Sequence, residues 1–209
     1  MRICLLLLLL LASPLQAAQE IISVAASDDD ARQRDGLGPF FVTETIFFVG
    51  DGGPSHIGMR FVVPNIASGD TIDAATLELI GTGVDATDDM DGDIHCEDID
   101  DSPDFTDNAT VDGRTVTTAN TVWTASNLGT GAETSPDFAS AVQEVVDRAG
   151  WAAGNGLTVI IRANGTGTQY NFAAWDHATL APAEITIDYT PGAGGGTALP
   201  LLNHYYIGN

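Results

Sequence analysis

Lysine is absent from this 209-residue chain, and its seven cationic side chains are all arginine. Against 29 acids they leave a formal net charge of −22. A surface of that sign repels nucleic acid and anionic membranes, so neither is an expected partner. Cysteine is nearly as scarce, with only Cys4 and Cys96. Cys4 lies in an N-terminal apolar run, so the exported chain has no internal disulfide, and packing, with metal as a further support, must hold it. Cys96 is expected as a small buried residue, with an intermolecular disulfide as its other use. No G-x-S-x-G elbow and no H-E-x-x-H helix is present. The histidines at 56, 95, 177 and 204 are scattered, and His95 and Cys96 alternate across a strand, which keeps them from sharing one metal. A hydrolytic carboxylate pair cannot be singled out among so many acids. Beyond the N-terminus no apolar run is long enough to cross a bilayer.

The chain opens MRICLLLLLLLASPLQAAQ. One arginine, a leucine run and small residues describe a secretory signal peptide over 1–18, expected to be cleaved near Ala17 or Ala18. The implied location is extracellular or at the cell surface. Loss of Arg2 leaves six arginines against 29 acids, a net −23. Self-repulsion of that size is relieved by salt or divalent cations.

Residues 19–190 are enough for one domain with a full core. Short apolar alternations separated by turn residues predict strands. Segment 40–50 is read as one strand with Val42, Ile46 and Phe48 on its inner face. In 57–64, Met59, Phe61 and Val63 point inward and Arg60 outward; Leu77 and Leu79 alternate inward in the strand after it. Further strands are expected at 20–26, 92–99, 114–118, 121–125, 157–163, 168–175 and 183–189, with 27–39 as a polar loop. A single helix is expected over 136–149. Ser135 would cap it, Pro136 suits its first position, Asp137 its positive end, and Phe138, Val142, Val145 and Val146 form its apolar stripe. Arg148 and Gly150 would close it, and Trp151 would clamp its end as a core residue. Many short strands with one helix indicate an all-β fold, an antiparallel β-sandwich of jelly-roll type.

Residues 191–196 (PGAGGG) form a flexible linker. The segment after it, 197–209, is apolar and aromatic, with Leu199, Leu201, Leu202, Tyr205, Tyr206 and Ile207. It would fold back on its own sandwich, add to a neighbour's edge or groove, or act as a sorting or attachment signal.

Several pieces occur in a telling order: MRF, GDTIDAATLEL, CEDIDDSPDF, VW, TSPDFASAVQEVVDRAGWAAGNGLTVII and AAWDHATLAPAEITIDY. Together they cover about 57–189 and resemble the secreted jelly-roll modules called DNRLRE-domain or disaggregatase-related, carbohydrate-binding-module-like domains. That resemblance implies a β-sandwich of secreted and cell-surface proteins, some of whose members bind polysaccharide. The apolar C-terminal segment departs from a simple binding module and points toward assembly.

Candidate sites follow from residue type. Asp88, Asp89, Asp91 and Asp93 are close enough in sequence to offer several oxygens to calcium, and Asp28, Asp29 and Asp30 with Asp35 form a second such group. Trp123, Tyr170, Phe172 and Trp175 are candidate glycan-stacking aromatics, core packing being their alternative role. Asn108 and Asn164 head glycosylation sequons. The expected function is a secreted, non-catalytic structural subunit. Copies of it would assemble into a fibre, surface layer or matrix through sandwich edges and terminal segments. The alternative is a polysaccharide-binding module stabilised by calcium.

Overall fold

In a computed structural model, residues 16–34, 40–50, 55–83, 89–106, 110–164 and 169–192 are described. These residues form twelve strands and one α-helix. The strands are β1 (Ala18–Ser23), β2 (Asp30–Arg34), β3 (Phe40–Phe41), β4 (Ile46–Gly50), β5 (Ser55–Val62) and β6 (Thr71–Thr82). After them come β7 (Met90–Cys96), β8 (Thr121–Ala125), β9 (Thr130–Thr134), helix α1 (Ala139–Val146), β10 (Gly156–Ala163), β11 (Gln169–Ala173) and β12 (Glu184–Thr190).

All pairings are antiparallel. The first sheet runs β1-β12-β6-β11-β4, with β9 also on β6; the second runs β3-β2-β5-β10-β7-β8. The chain crosses between sheets repeatedly from β4 to β7 and again from β9 to β11, giving the sandwich its jelly-roll character. Alternation then does the packing. Met59 and Phe61 on β5, Leu77 and Leu79 on β6, and Ile185 and Ile187 on β12 are all buried between the sheets. Cys96 and Trp151 lie in the same core, and the Trp151 indole N–H donates to the carbonyl of Ile66 at 3.0 Å.

Four local expectations are corrected. Segment 40–50 is two strands, and its inward residues are Phe47 and Val49. Val42 packs outside the sandwich, while Ile46 and Phe48 are half-buried. The Phe-Phe doublets offer an apolar residue to either face, so only pairing sets the phase; opposite Phe172, Phe47 makes an edge-on ring contact at 6.3 Å. The polar loop contains β2, which pairs with β5 and buries Asp30, Ala31 and Arg32. Segment 114–118 is no strand; its one ladder contact is Val116 against Glu97. The helix starts at Ala139, because residues 135–138 serve β6 instead.

That service closes one edge of β6. Ser135 N–H donates to Leu77 O at 2.8 Å, and Leu77 N–H donates to Ser135 Oγ at 2.9 Å. Phe138 N–H donates to Ala75 O, while Asp137 Oδ1 accepts from Ala75 N–H and from Ala139 N–H, each at 2.9 Å. Gln143 on α1 continues the pattern, accepting from Ile72 N–H at 2.7 Å. The edge groups of β6 are thereby paired, which removes that edge as a template for other strands. The helix stripe survives: Phe138, Val142, Val145 and Val146 are buried, but Gly150 is not left-handed.

A second, smaller core lies on the outer face of the second sheet. Ala31, Phe105, Val111 and Ile160 form it, with the connection between β7 and β8 folded over the sheet. Phe105 fits because β5 presents Gly58 beneath it. A Cβ there would collide with the ring tip and sit 2.8 Å from Cε1.

Candidate functional site

The acidic residues do not converge. Asp91 and Asp93 share the outward face of β7, while Asp89 precedes the strand and accepts from Asn127 N–H at 3.0 Å. Asp93 Oδ1 accepts from the side-chain amide of Asn164 at 3.1 Å, which places that sequon asparagine on the sheet surface. Asp28, Asp29 and Asp30 diverge: Asp29 pairs with Arg60 at 2.7 Å, while Asp30 turns between the sheets. Among the described residues, no three His, Cys, Asp or Glu side chains are placed to share a cation. Asp35, Asp88, Asn108 and the six apolar residues of 197–209 lie outside the described residues.

Arginine organises the acids. Arg60 also donates through Nε to Ser102 O at 2.7 Å. Arg114 pairs with Glu97, donates to the carbonyls of Pro103 and Asp104, and lies 4.0 Å over the Phe105 ring. Arg148 grips Asp98 and Asp100, its Nε 2.6 Å from Asp100 Oδ1, and these hydrogen bonds hold its own pKa up. Three arginines thus staple the acidic segment 97–105 over the sheet. Three of the chain's seven arginines are committed to folding here.

Asp30 is the most perturbed carboxyl. Its Oδ2 accepts from Trp175 N–H at 2.8 Å, while buried Oδ1 has no partner among the described residues. Burial pushes its pKa up to about 7, with the charges of Asp176 and Asp29 adding to the effect and the Trp175 N–H opposing it. Burial likewise pushes the Cys96 thiol up, so this cysteine is no nucleophile at neutral pH.

The predicted glycan platform is largely dismantled. Trp123, Tyr170 and Phe172 are core residues no more than 3% exposed, with no face free to stack on a sugar. Tyr170 and Phe172 share a face as expected, but it is the inner one, where their rings stack 6.1 Å apart. Trp175 alone of the four is exposed, at 40%, because β11 ends at Ala173 and releases the chain into a turn.

Two features were not legible as motifs. The first is a cavity of about 220 Å³ lined by Arg32, Arg34, Phe41 and Phe48. Arg32 and Arg34 are two apart on β2 and so share a face, with Phe41 supplied by β3 and Phe48 by β4 of the other sheet. The Arg32 guanidinium sits 4.4 Å from the Phe41 centroid and 4.0 Å from that of Phe48, and its Nε and one terminal nitrogen each donate to Glu44 at 2.9 Å. The pocket is therefore pre-organised and aromatic-walled, with the charge of Arg32 matched by Glu44.

The second feature lies at the edge strands, which are β1 and β4 in the first sheet and β3 and β8 in the second. β1 pairs with β12 only, and β8 with β7 only, among the described residues. β8 reads TVWTA, without charge or proline, and exposes Val122 at 58%. β1 exposes Ile21 to the same degree and turns Glu20 inward, where one carboxylate oxygen has no partner among the described residues. Comparison with protein-family models and with curated proteins finds no match to this chain.

Proposed function

We propose that this chain is an exported, non-catalytic structural subunit. It assembles with copies of itself into an extracellular fibre, surface layer or matrix. The open β8 edge carries this reading. Natural edges are blunted with charge, proline or a covering segment. This chain covers the edge of β6 with residues 135–143, yet β8 is uncharged and pairs with β7 alone among the described residues, in a molecule of net charge −22. A neutral strand is where such acidic copies meet at least electrostatic cost. The signal-like leader ends where β1 begins, which fits export of the sandwich. The test is sedimentation and electron microscopy of the processed chain across salt and calcium concentrations. Ordered polymers appearing as charge is screened support the reading; monomers under all conditions refute it.

A second reading, polysaccharide binding, rests on Trp175, the one exposed aromatic among the four singled out from the sequence. Binding of a glycan that Trp175→Ala abolishes would favour it.

A further inference from the structure

We infer that the Arg32–Arg34–Phe41–Phe48 pocket is the receptor for the aromatic C-terminal segment, 197–209, of a neighbouring copy. This rests on the self-assembly reading and names the contact that gives the assembly its direction. Three observations carry it.

The first is where the chain leaves the sandwich. Thr190 at the end of β12 pairs with Thr71 at the start of β6, and Gly192 N–H donates to Asp70 Oδ1 at 2.7 Å. The pocket lies at the other end of the same strand. Phe48 pairs with Asn171, whose carbonyl accepts from Thr82 Oγ1 at 3.4 Å. From Thr71 to Thr82, β6 rises roughly 36 Å at about 3.3 Å per residue. Exit and receptor therefore sit at opposite poles. A tail that docks on the next copy joins the copies head to tail, an arrangement that propagates into a filament unless its rotation closes a ring.

Charge is the second. Segment 197–209 contains no acid and no arginine. It lies within 189–209, the longest stretch of the chain with neither, so it can approach a copy of net charge −22 without adding repulsion.

The third is chemical fit. The pocket, about 220 Å³, has room for an aromatic side chain; Phe41 and Phe48 wall it with the Arg32 guanidinium over both rings, and exposed Arg34 lines its rim. Tyr205 and Tyr206 supply rings that stack on phenylalanine and guanidinium alike, and a phenolic O–H that can donate to Glu44 beside Arg32. Aliphatic Leu201, Leu202 and Ile207 bring further apolar surface to the docking segment.

The experiment uses the full processed chain, with Arg34→Ala on the receptor side and Tyr205→Ala/Tyr206→Ala on the tail side. Arg34 is exposed at the end of β2, so its loss leaves the core intact, which a melting curve checks. Each variant alone is expected to stop polymer growth, while an equimolar mixture of the two should form 1:1 pairs, since one good contact remains. A fluorescent peptide of 197–209 should bind the tail variant and bind the Arg34→Ala chain at least tenfold more weakly. Polymers that grow equally well with both variants would overturn this contact and leave the structural-subunit reading standing. A monomeric parent that still binds the peptide in an Arg34-dependent way would keep the contact and refute the assembly. Absence of saturable peptide binding to the tail variant overturns the inference. So does an equimolar mixture that gives no pairs while the tail variant binds the peptide more tightly than the parent, because the tail then fills its own chain's pocket.

Discussion

Replacing Asp30 by Asn should stabilise the protein, and increasingly so as pH rises. The carboxyl is 2% exposed, and burial pushes its pKa up to about 7 from an ordinary 3.8. A raised acid pKa means that the folded state holds a proton the unfolded state has released. Stability from this group is therefore complete below the unfolded pKa and declines as pH climbs toward the folded one. Between pH 5.5 and 7 the slope is about 1.4 kcal/mol per pH unit, a loss of about 2 kcal/mol, with little further change above pH 7. Asparagine keeps an oxygen to accept the Trp175 N–H and carries no charge to bury. The advantage of Asp30→Asn over the parent should thus grow by about 2 kcal/mol from pH 5.5 to 8.5. Urea melts at both pH values, with salt high enough to screen the global charge, measure it. A difference that does not change with pH would show that Asp30 is ionised throughout, and the argument from burial would be wrong.

Gly58→Ala should destabilise by about 1–3 kcal/mol, read by denaturant midpoint, because the new methyl meets the Phe105 ring, which is fully buried beneath Arg114. Ser135→Ala removes the acceptor of Leu77 N–H and should cost about 1–3 kcal/mol in the same assay. Val122→Lys on the open β8 edge should leave the melting curve within about 0.5 kcal/mol of the parent while reducing assembly seen by sedimentation. Cys96 should resist a thiol reagent in the native protein and react at once in denaturant; fast native labelling would contradict its place in the core.

Much of the architecture is already legible in local pattern. Alternation in β5 and β6 names the inward residues correctly, since side chains on a strand take turns between faces and only apolar ones tolerate the interior. The apolar stripe of α1 and the buried Trp151 follow from the same logic at helical period. Pattern is silent where both faces are acceptable. The Phe47-Phe48 doublet fits either phase, and pairing with β11 chooses. β2 reads as a polar loop, because Asp30 and Arg32 have no apolar alternation to show. Their burial becomes tolerable only when Glu44 and the Trp175 backbone, from distant segments, meet them.

Function divides along the same line. Sequence by itself determined a strongly acidic, lysine-free chain with an apolar N-terminal run, the strand alternation of a sandwich, and an acid-free aromatic stretch at 197–209. Those depend only on composition and order along the chain. Tertiary structure decided which aromatics are spent in the core and which edge is sealed by Ser135 and Asp137. It also decided which arginines staple the acids and which two meet Phe41 and Phe48 in one pocket. Each of these is a meeting of residues far apart in sequence, and partner and register in a sheet are properties of the whole packing, not of any one strand.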